Sequence, residues 1–314
     1  MDFRTIVPIS KNDHLINYQS KIFSLGSCFA ENIASKFDYY KFDNQCNPFG
    51  IIFNTVALEK IVARIVDLNY FSELDIFENN GLWQCFEVHS NMSNSDRFEY
   101  LQHLNSILLA SHEYLKTATD LILTLGTSWA YELNETKQTV ANCHKIAQSE
   151  FTKILLSAEQ NTVALRKIIY DVQKINSSIK VILTISPVRH LKDGFFENNV
   201  SKSTLFAAIF NLNPSDNTSY FPSYEIVMDE LRDYRFYQSD FLHPSQMAID
   251  YIWSKFKESH ISKEAFITIK DVESIQKMIS HRHANKNSVD YQIFSDKLHS
   301  KITKLNAIFP KISF

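Results

Sequence analysis

The chain has 314 residues, and its 32 Lys and Arg nearly balance its 35 Asp and Glu, for a formal charge of −3. That balance lacks the basic excess with which proteins neutralise nucleic-acid phosphates, so no nucleic-acid partner is expected. With 45% hydrophobic and 21% charged residues the composition is that of a folded globular protein, and no apolar run reaches the roughly 18 residues needed to cross a membrane.

The first residues lack the basic-then-apolar order of a secretory signal, which predicts a soluble, cytoplasmic chain with no membrane partner. Four cysteines, Cys28, Cys46, Cys85 and Cys143, stand without CxxC pairing, which argues against a disulfide scaffold and a zinc ribbon. Reduced thiols are expected, with no metal and no cofactor. Glycine is scarce, 5 residues in all, so each one marks a place where the backbone demands it. Gly26 and Gly126 directly follow the clearest apolar runs.

In chain order, residues 21–25 (KIFSL) read as a strand that breaks at Gly26, and 29–39 as a helix with Phe29, Ile33 and Phe37 on one face. A second helix is predicted over 54–68 behind an Asn54 cap, just after Gly50. Asn79-Asn80-Gly81 between apolar flanks signals a two-residue hairpin within 76–88. A helix follows over 98–115, then the apolar strand 120–125 (DLILTL) ending in Gly126. Helix 158–175 and the strand 181–185 (VILTI), ending in Ser186-Pro187, complete a second such unit. Strands apolar on both faces belong inside a parallel sheet covered by helices. The alternation therefore predicts an α/β three-layer α/β/α sandwich with a mainly parallel sheet. Further helices are expected over 202–212 and 244–256, the latter with Pro244 in its first turn, and 220–228 reads as extended. Residues beyond 261 have helical periodicity and no strand. We expect one α/β domain over 1–260 and a helical C-terminal extension over 261–314 packed on it, dispensable for the chemistry.

Ligands of open parallel sheets bind outside the carboxyl ends of the strands, which makes Gly26-Ser27-Cys28, Gly126-Thr127-Ser128 and the residues after Ile185 the candidates. Far downstream, Asp240 and His243 stand three apart before a helix, so that one tight turn holds a carboxylate beside an imidazole, the orienter and base of a catalytic triad. Cys28 would complete it from a strand-to-helix turn, where helix amides favour a thiolate. Ser27 is the rival nucleophile, because a shift of one residue in the turn exchanges which side chain faces the cleft.

The GSCFA run at 26–30, with NPFG at 47–50, LGTSWAYE at 125–132, ANCHK at 141–145, SPVRHLKDG at 186–194 and DYRFYQSDFLHPS at 233–245, resembles the GSCFA-domain family over most of residues 1–258. That family is similar to the SGNH/GDSL hydrolase superfamily. The resemblance implies a flavodoxin-like, SGNH-hydrolase-like fold and an esterase-type site. Carried over residue by residue, it puts Cys28 in the place of the superfamily's serine nucleophile, Gly50 at its second-block glycine, Gly126, Thr127 and Ser128 at its third block, and Asp240 and His243 at its Asp-x-x-His. A thiol thus replaces a hydroxyl, and Ser128 replaces an oxyanion-holding asparagine. The oxyanion hole would rest on the amides of Cys28 and Gly50, with Ser128 or Asn142 as third donor, and losing one such donor typically costs about 10²- to 10³-fold in rate.

Arg189 and His190 are candidates for binding an anionic substrate group, with a structural ion pair as the alternative. His144 beside Cys143 lacks companion ligands for a metal, and His281-Arg282-His283 reads as a solvated helix face. Gly126-Thr127-Ser128-Trp129-Ala130 offers an alternative nucleophile elbow, although Asn134-Glu135 downstream looks like a hairpin turn where a helix is needed. Two functions follow. One is an SGNH-like hydrolase of acyl esters, including carbohydrate O-acyl groups, or an acyltransferase using the same covalent intermediate. The other is a non-catalytic pseudo-hydrolase whose aromatic cleft binds a carbohydrate or another small ligand.

Overall fold

The computed structural model describes residues 4–212, 217–282 and 287–314. In chain order its elements are β1 (Lys21–Gly26), α1 (Cys28–Tyr39), β2 (Asp43–Cys46), α2 (Thr55–Val66), β3 (Phe77–Asn79), β4 (Leu82–Gln84) and α3 (Arg97–Thr117). Then come β5 (Asp120–Leu125), β6 (Trp129–Leu133), β7 (Thr139–Val140), β8 (Phe151–Leu155), α4 (Ala158–Ile175), β9 (Lys180–Ile185), α5 (Phe195–Leu212) and β10 (Thr218–Tyr220). The chain closes with α6 (Ser223–Glu225), α7 (Gln246–His260), α8 (Ala265–Ser280) and α9 (Val289–Ile308).

Five strands form one parallel sheet in the order β10-β9-β5-β1-β2. Side chains alternate between its faces, as the two-residue strand period requires. Phe23, Leu25, Leu121, Leu123, Val181 and Leu183 bury against α2, α3, α4 and α5. Ile22, Ile122 and Ile182 bury on the other side with Phe29 and Phe37 of α1 and Trp253 and Phe256 of α7. The protein is therefore a three-layer α/β/α structure with a mainly parallel sheet. The connections run outward in opposite directions from β1 and β5, so the crevice between their carboxyl ends is the topological switch point where such sheets hold ligands. Among the described residues no helix is long and apolar enough to cross a membrane.

Several elements differ from the sequence expectation. The edge strand β2 (DNQC) carries no apolar signature; parallel pairing with β1 makes it a strand. The segment 220–228 is extended only up to Tyr220. Beyond Pro222 it winds into α6 and a π-helical turn, Ile226–Glu230, which buries Ile226 and Val227 side by side. The helix expected over 202–212 begins seven residues earlier, at Phe195, whose side chain is exposed and so gave no periodic signal. Pro244 lies outside α7, whose cap is Ser245, its hydroxyl accepting from the Ala248 amide. A small antiparallel sheet, β7-β6-β8, follows β5 in the chain, its β6 starting four residues beyond Leu125.

The segment after residue 260 does not separate cleanly from the core. Ile261, Ala265 and Ile269 share the cluster of Trp253 and Phe256, and Ile16 bridges to Ile261. By contrast, α9 buries one side chain, Leu305. A chain ending at residue 282 is expected to keep its cooperative unfolding. One ending at 260 forfeits apolar burial worth about 1.5–3 kcal/mol per large side chain and should melt roughly 10 °C lower or more. Thermal denaturation followed by circular dichroism compares the two; equal midpoints would place 261–282 outside the core.

Candidate active site

The turn after β1 is built around a position only glycine can fill. Gly26 has φ +134°, and a Cβ there would lie 2.1 Å from the Thr124 carbonyl oxygen on the neighbouring strand. The chain turns so that the Ser27 amide donates to that same oxygen at 3.0 Å, and α1 begins at Cys28. Asn47 braces the turn from below: its Oδ1 accepts from the Gly26 amide at 2.8 Å, and its own amide donates to Ser24 O at 2.9 Å. At the end of β5 the amides of Gly126 and Thr127 both donate to Phe53 O, each at 3.2 Å.

The Asp240–His243 turn closes the other side. Asp240 Oδ1 accepts from the amides of Leu242 (2.9 Å) and His243 (3.0 Å), while Oδ2 meets His243 Nδ1 at 2.6 Å. The His243 amide, then the Leu242 amide and the imidazole, hold this carboxyl well below the usual carboxylate range, at about 2. Outside the turn, the Gln238 amide donates to His243 O at 2.8 Å and the Ser245 amide to Phe236 O at 2.7 Å. His243 Nε2 then lies 3.9 Å from Cys28 Sγ. With Nδ1–H given to the carboxylate, Nε2 is left as the acceptor facing the sulfur. The fold thus brings a thiol, an imidazole and a carboxylate into line across a separation of 215 positions.

The electrostatics of the sulfur differ from the expectation that the helix start leaves a low thiol pKa. Burial pushes the Cys28 thiol up, and Glu31 one turn along α1 adds to it, against Lys202 and the amides of Cys28 and Phe29, which pull the other way. The resting group is a thiol. Burial pushes Cys46 and Cys85 up to about 12 and Cys143 to about 11.

A cleft of about 490 Å³ opens beside Cys28 and His243, walled by Phe53, Trp129, Tyr131, Asn142, Arg189 and His190. Asn142, Arg189 and His190 thus line the same cleft as Cys28 and His243. His190 is pushed down to about 4 by burial, then by the Lys202 charge, so its ring is neutral; its Nε2 is buried without a partner among the described residues. The side-chain partner of Arg189 is the Met228 sulfur, at 3.2 Å, and not an acid, as the alternative of a structural ion pair would require.

Three candidates are not at the cleft wall. Ser27 is fully buried with its hydroxyl turned inward and unpartnered. The Gly50 amide is spent on Asn47 O at 2.8 Å, because the NPFG loop folds as a tight turn behind the site. Ser128 is buried too: its amide donates to Ser201 Oγ at 2.7 Å and its hydroxyl to Ser201 O at 3.0 Å, tying β5 to α5. The alternative elbow at 126–130 falls with it, since Trp129 starts strand β6 and no helix follows. His144 Nε2 pairs with Cys85 O at 2.7 Å, and no group of three metal-ligating side chains exists among the described residues. His281 packs near the Phe294 ring; His283 lies outside the described residues.

Sequence reasoning missed Asn47, which has no signature beyond its place in NPFG, and Lys202. The latter was detectable: Lys202, Leu205 and Ile209 stand at i, i+3, i+7, so a lysine occupies the apolar stripe of α5.

The model of the GSCFA family matches residues 21–256. No curated protein matches the chain. Among solved structures, the crystal structure of an acetyl esterase mutant with acetate ion is similar at 10% identity, covering 81% of this chain and 99% of that one, with a TM-score of 0.34. At that score the likeness carries no functional weight.

Proposed function

The chain belongs to the GSCFA family, and from that premise we propose that its cleft cleaves acyl esters, by hydrolysis or by transfer of the acyl group, through Cys28, His243 and Asp240. One observation carries the reading: His243 Nε2 faces Cys28 Sγ at 3.9 Å while Nδ1 meets Asp240 Oδ2 at 2.6 Å. His243 takes the thiol proton as sulfur attacks the ester carbonyl carbon, and Asp240 holds the imidazole in the required tautomer. The tetrahedral intermediate collapses to a thioester on Cys28, and the leaving alkoxide receives the proton back from His243. Water or an acceptor hydroxyl, deprotonated by the same imidazole, then releases the acyl group.

The oxyanion falls to the Cys28 amide at the start of α1 and to Asn142, whose Oδ1 accepts from the His144 amide at 2.8 Å and so leaves its NH₂ as donor. Trp129 and Tyr131 in the wall suit a sugar ring, which makes carbohydrate O-acyl groups the preferred substrates. Arg189 and His190 serve binding.

The binding-module reading has one observation in its favour: with the Gly50 amide engaged and Ser128 buried, the oxyanion has few donors. Incubation with a panel of acyl esters, acetylated sugars included, followed by intact-mass and peptide analysis, separates the two. Acylation mapping to Cys28 and absent in Cys28→Ala is expected. Saturable binding of the same compounds with neither acylation nor turnover would replace the enzyme by the module.

A further inference from the structure

The wall of the cleft carries positive charge that the mechanism through Cys28, His243 and Asp240 does not use. Of the charged side chains lining it, Asp193 is already paired, with Lys153, whose Nζ stands 4.4 Å from the centre of the Trp129 ring. Arg189 and Lys192 have no carboxylate within ion-pair reach among the described residues. The side-chain contact of Arg189 is the Met228 sulfur, a weak acceptor. A guanidinium has five N–H donors, so most of this fork is uncommitted. A half-buried cation without a counter-charge has lost hydration that a bound anion would replace.

The loop that carries Arg189 is held on both sides. Upstream, the Ser186 amide donates to Leu125 O at 2.9 Å. Lys202 of α5 ties the two strand ends together, its Nζ donating to Ser186 O at 2.7 Å and to Gly126 O at 2.6 Å. Val188 is buried in the cluster of Ile182 and Phe221. Downstream, the His190 amide donates to Asn198 Oδ1 at 2.9 Å, and the His190 ring meets Phe53 edge-to-face at 5.2 Å. An arginine on a loop fixed in this way loses little further freedom when it binds. His190 adds a ring whose buried Nε2 has no partner among the described residues, and a neutral imidazole can donate one hydrogen bond to an anion's oxygen.

We propose that the ester taken by this cleft carries an anionic group, a carboxylate or a phosphate, away from its scissile bond, and that Arg189 binds that group as a specificity residue. The fork geometry of guanidinium suits both anions. Acyl groups on a uronic acid or on a sugar phosphate belong to this class, and a neutral acylated sugar does not. The assignment rests on the reading of the cleft as an ester-cleaving site.

Matched haloacetyl reagents that differ only in charge test this without a substrate. Iodoacetate is paired with iodoacetamide, iodoacetylglycine with its amide for a longer reach, and iodoacetyl ethanolamine phosphate with iodoacetyl ethanolamine. Cys28 and Cys143 both line the cleft, and peptide mapping reports each thiol separately. Within a pair the thiolate fraction cancels, so the ratio of the two rates measures attraction of the anion. Relative to the same chain unfolded in urea, the folded protein should favour the charged member by about tenfold or more at one reach at least, the worth of a charge-assisted hydrogen bond. Arg189→Gln should lose that gain, and Arg189→Lys, which keeps the charge without the fork, should keep part of it. A larger gain in the phosphate pair names phosphate as the anion; a larger gain in the acid–amide pairs names carboxylate. Ratios in the folded wild type no greater than in the unfolded chain at every reach, or a gain that survives in Arg189→Gln, would overturn the proposal. The wild-type comparison decides the matter even if a variant does not fold. Failure of the esterase reading is a separate result: a gain dependent on Arg189 in a protein that cleaves no acyl ester would leave the anion site and remove the reaction.

Discussion

His243→Ala is expected to lower acyl turnover by about 10²- to 10⁴-fold while leaving the fold intact. In the proposed mechanism the imidazole, 3.9 Å from the Cys28 sulfur, takes the proton of a thiol that burial holds protonated, and the variant removes that base. The side chain is 40% exposed, and truncating it opens no cavity in the core. Asp240→Asn should cost a comparable factor by a different route. Its amide can no longer take the Nδ1 proton as a charged acceptor, and the ring is free to present the wrong tautomer to sulfur. The pH dependence separates the two residues. The Asp240 carboxyl is held at about 2, so it remains charged across the working range. Its contribution to the turn is present above the usual carboxylate pKa and lost only as the pH falls through about 2. An acid limb in wild-type activity above about pH 4 therefore belongs to another group. Steady-state rates of wild type and the two variants from pH 4 to 9 check this; turnover in His243→Ala within threefold of wild type would remove the imidazole from the mechanism.

Gly26→Ala is expected to be the most damaging single substitution for stability. The new Cβ would meet Thr124 O at 2.1 Å and Thr124 C at 2.8 Å, both backbone atoms of the central strand β5, which cannot rotate away. The φ of +134° adds strain for any residue with a Cβ. Together these should cost about 4 kcal/mol or more, a large part of the 5–15 kcal/mol typical of a whole protein. Gly81→Ala is the matched control. Its φ is +75° in the β3–β4 turn, but nothing lies within 4 Å of the added methyl, and the loss should be about 1–2 kcal/mol. Urea denaturation compares the pair. A Gly26→Ala midpoint equal to that of Gly81→Ala would mean that β1 and β5 separate readily at the switch point.

The proximity of thiol, imidazole and carboxylate was legible in the amino-acid order because its parts are local. A strand broken at a glycine before a helix presents one residue at the helix start, and Asp-x-x-His before Pro244 closes a turn whose carboxylate can take two amides and an imidazole. Apolar runs without alternation, at 120–125 and 181–185, likewise announce strands buried on both faces, and with them the parallel sheet. What bonds over long separations was not legible. Whether Ser27 or Cys28 faces the cleft depends on Gly26 docking against Thr124, on a strand 98 residues later. Whether the Gly50 amide is free depends on how the NPFG loop turns back on Asn47, and Ser128 is withdrawn by Ser201 on a helix 73 residues downstream. The Asn47 brace and the Lys202 tie are hydrogen bonds between distant side chains and strand-end backbone. Local sequence determines which groups a turn can offer; packing of the sheet ends decides which of them face the cleft, because the same backbone amide or hydroxyl can be spent on a neighbour before any ligand arrives.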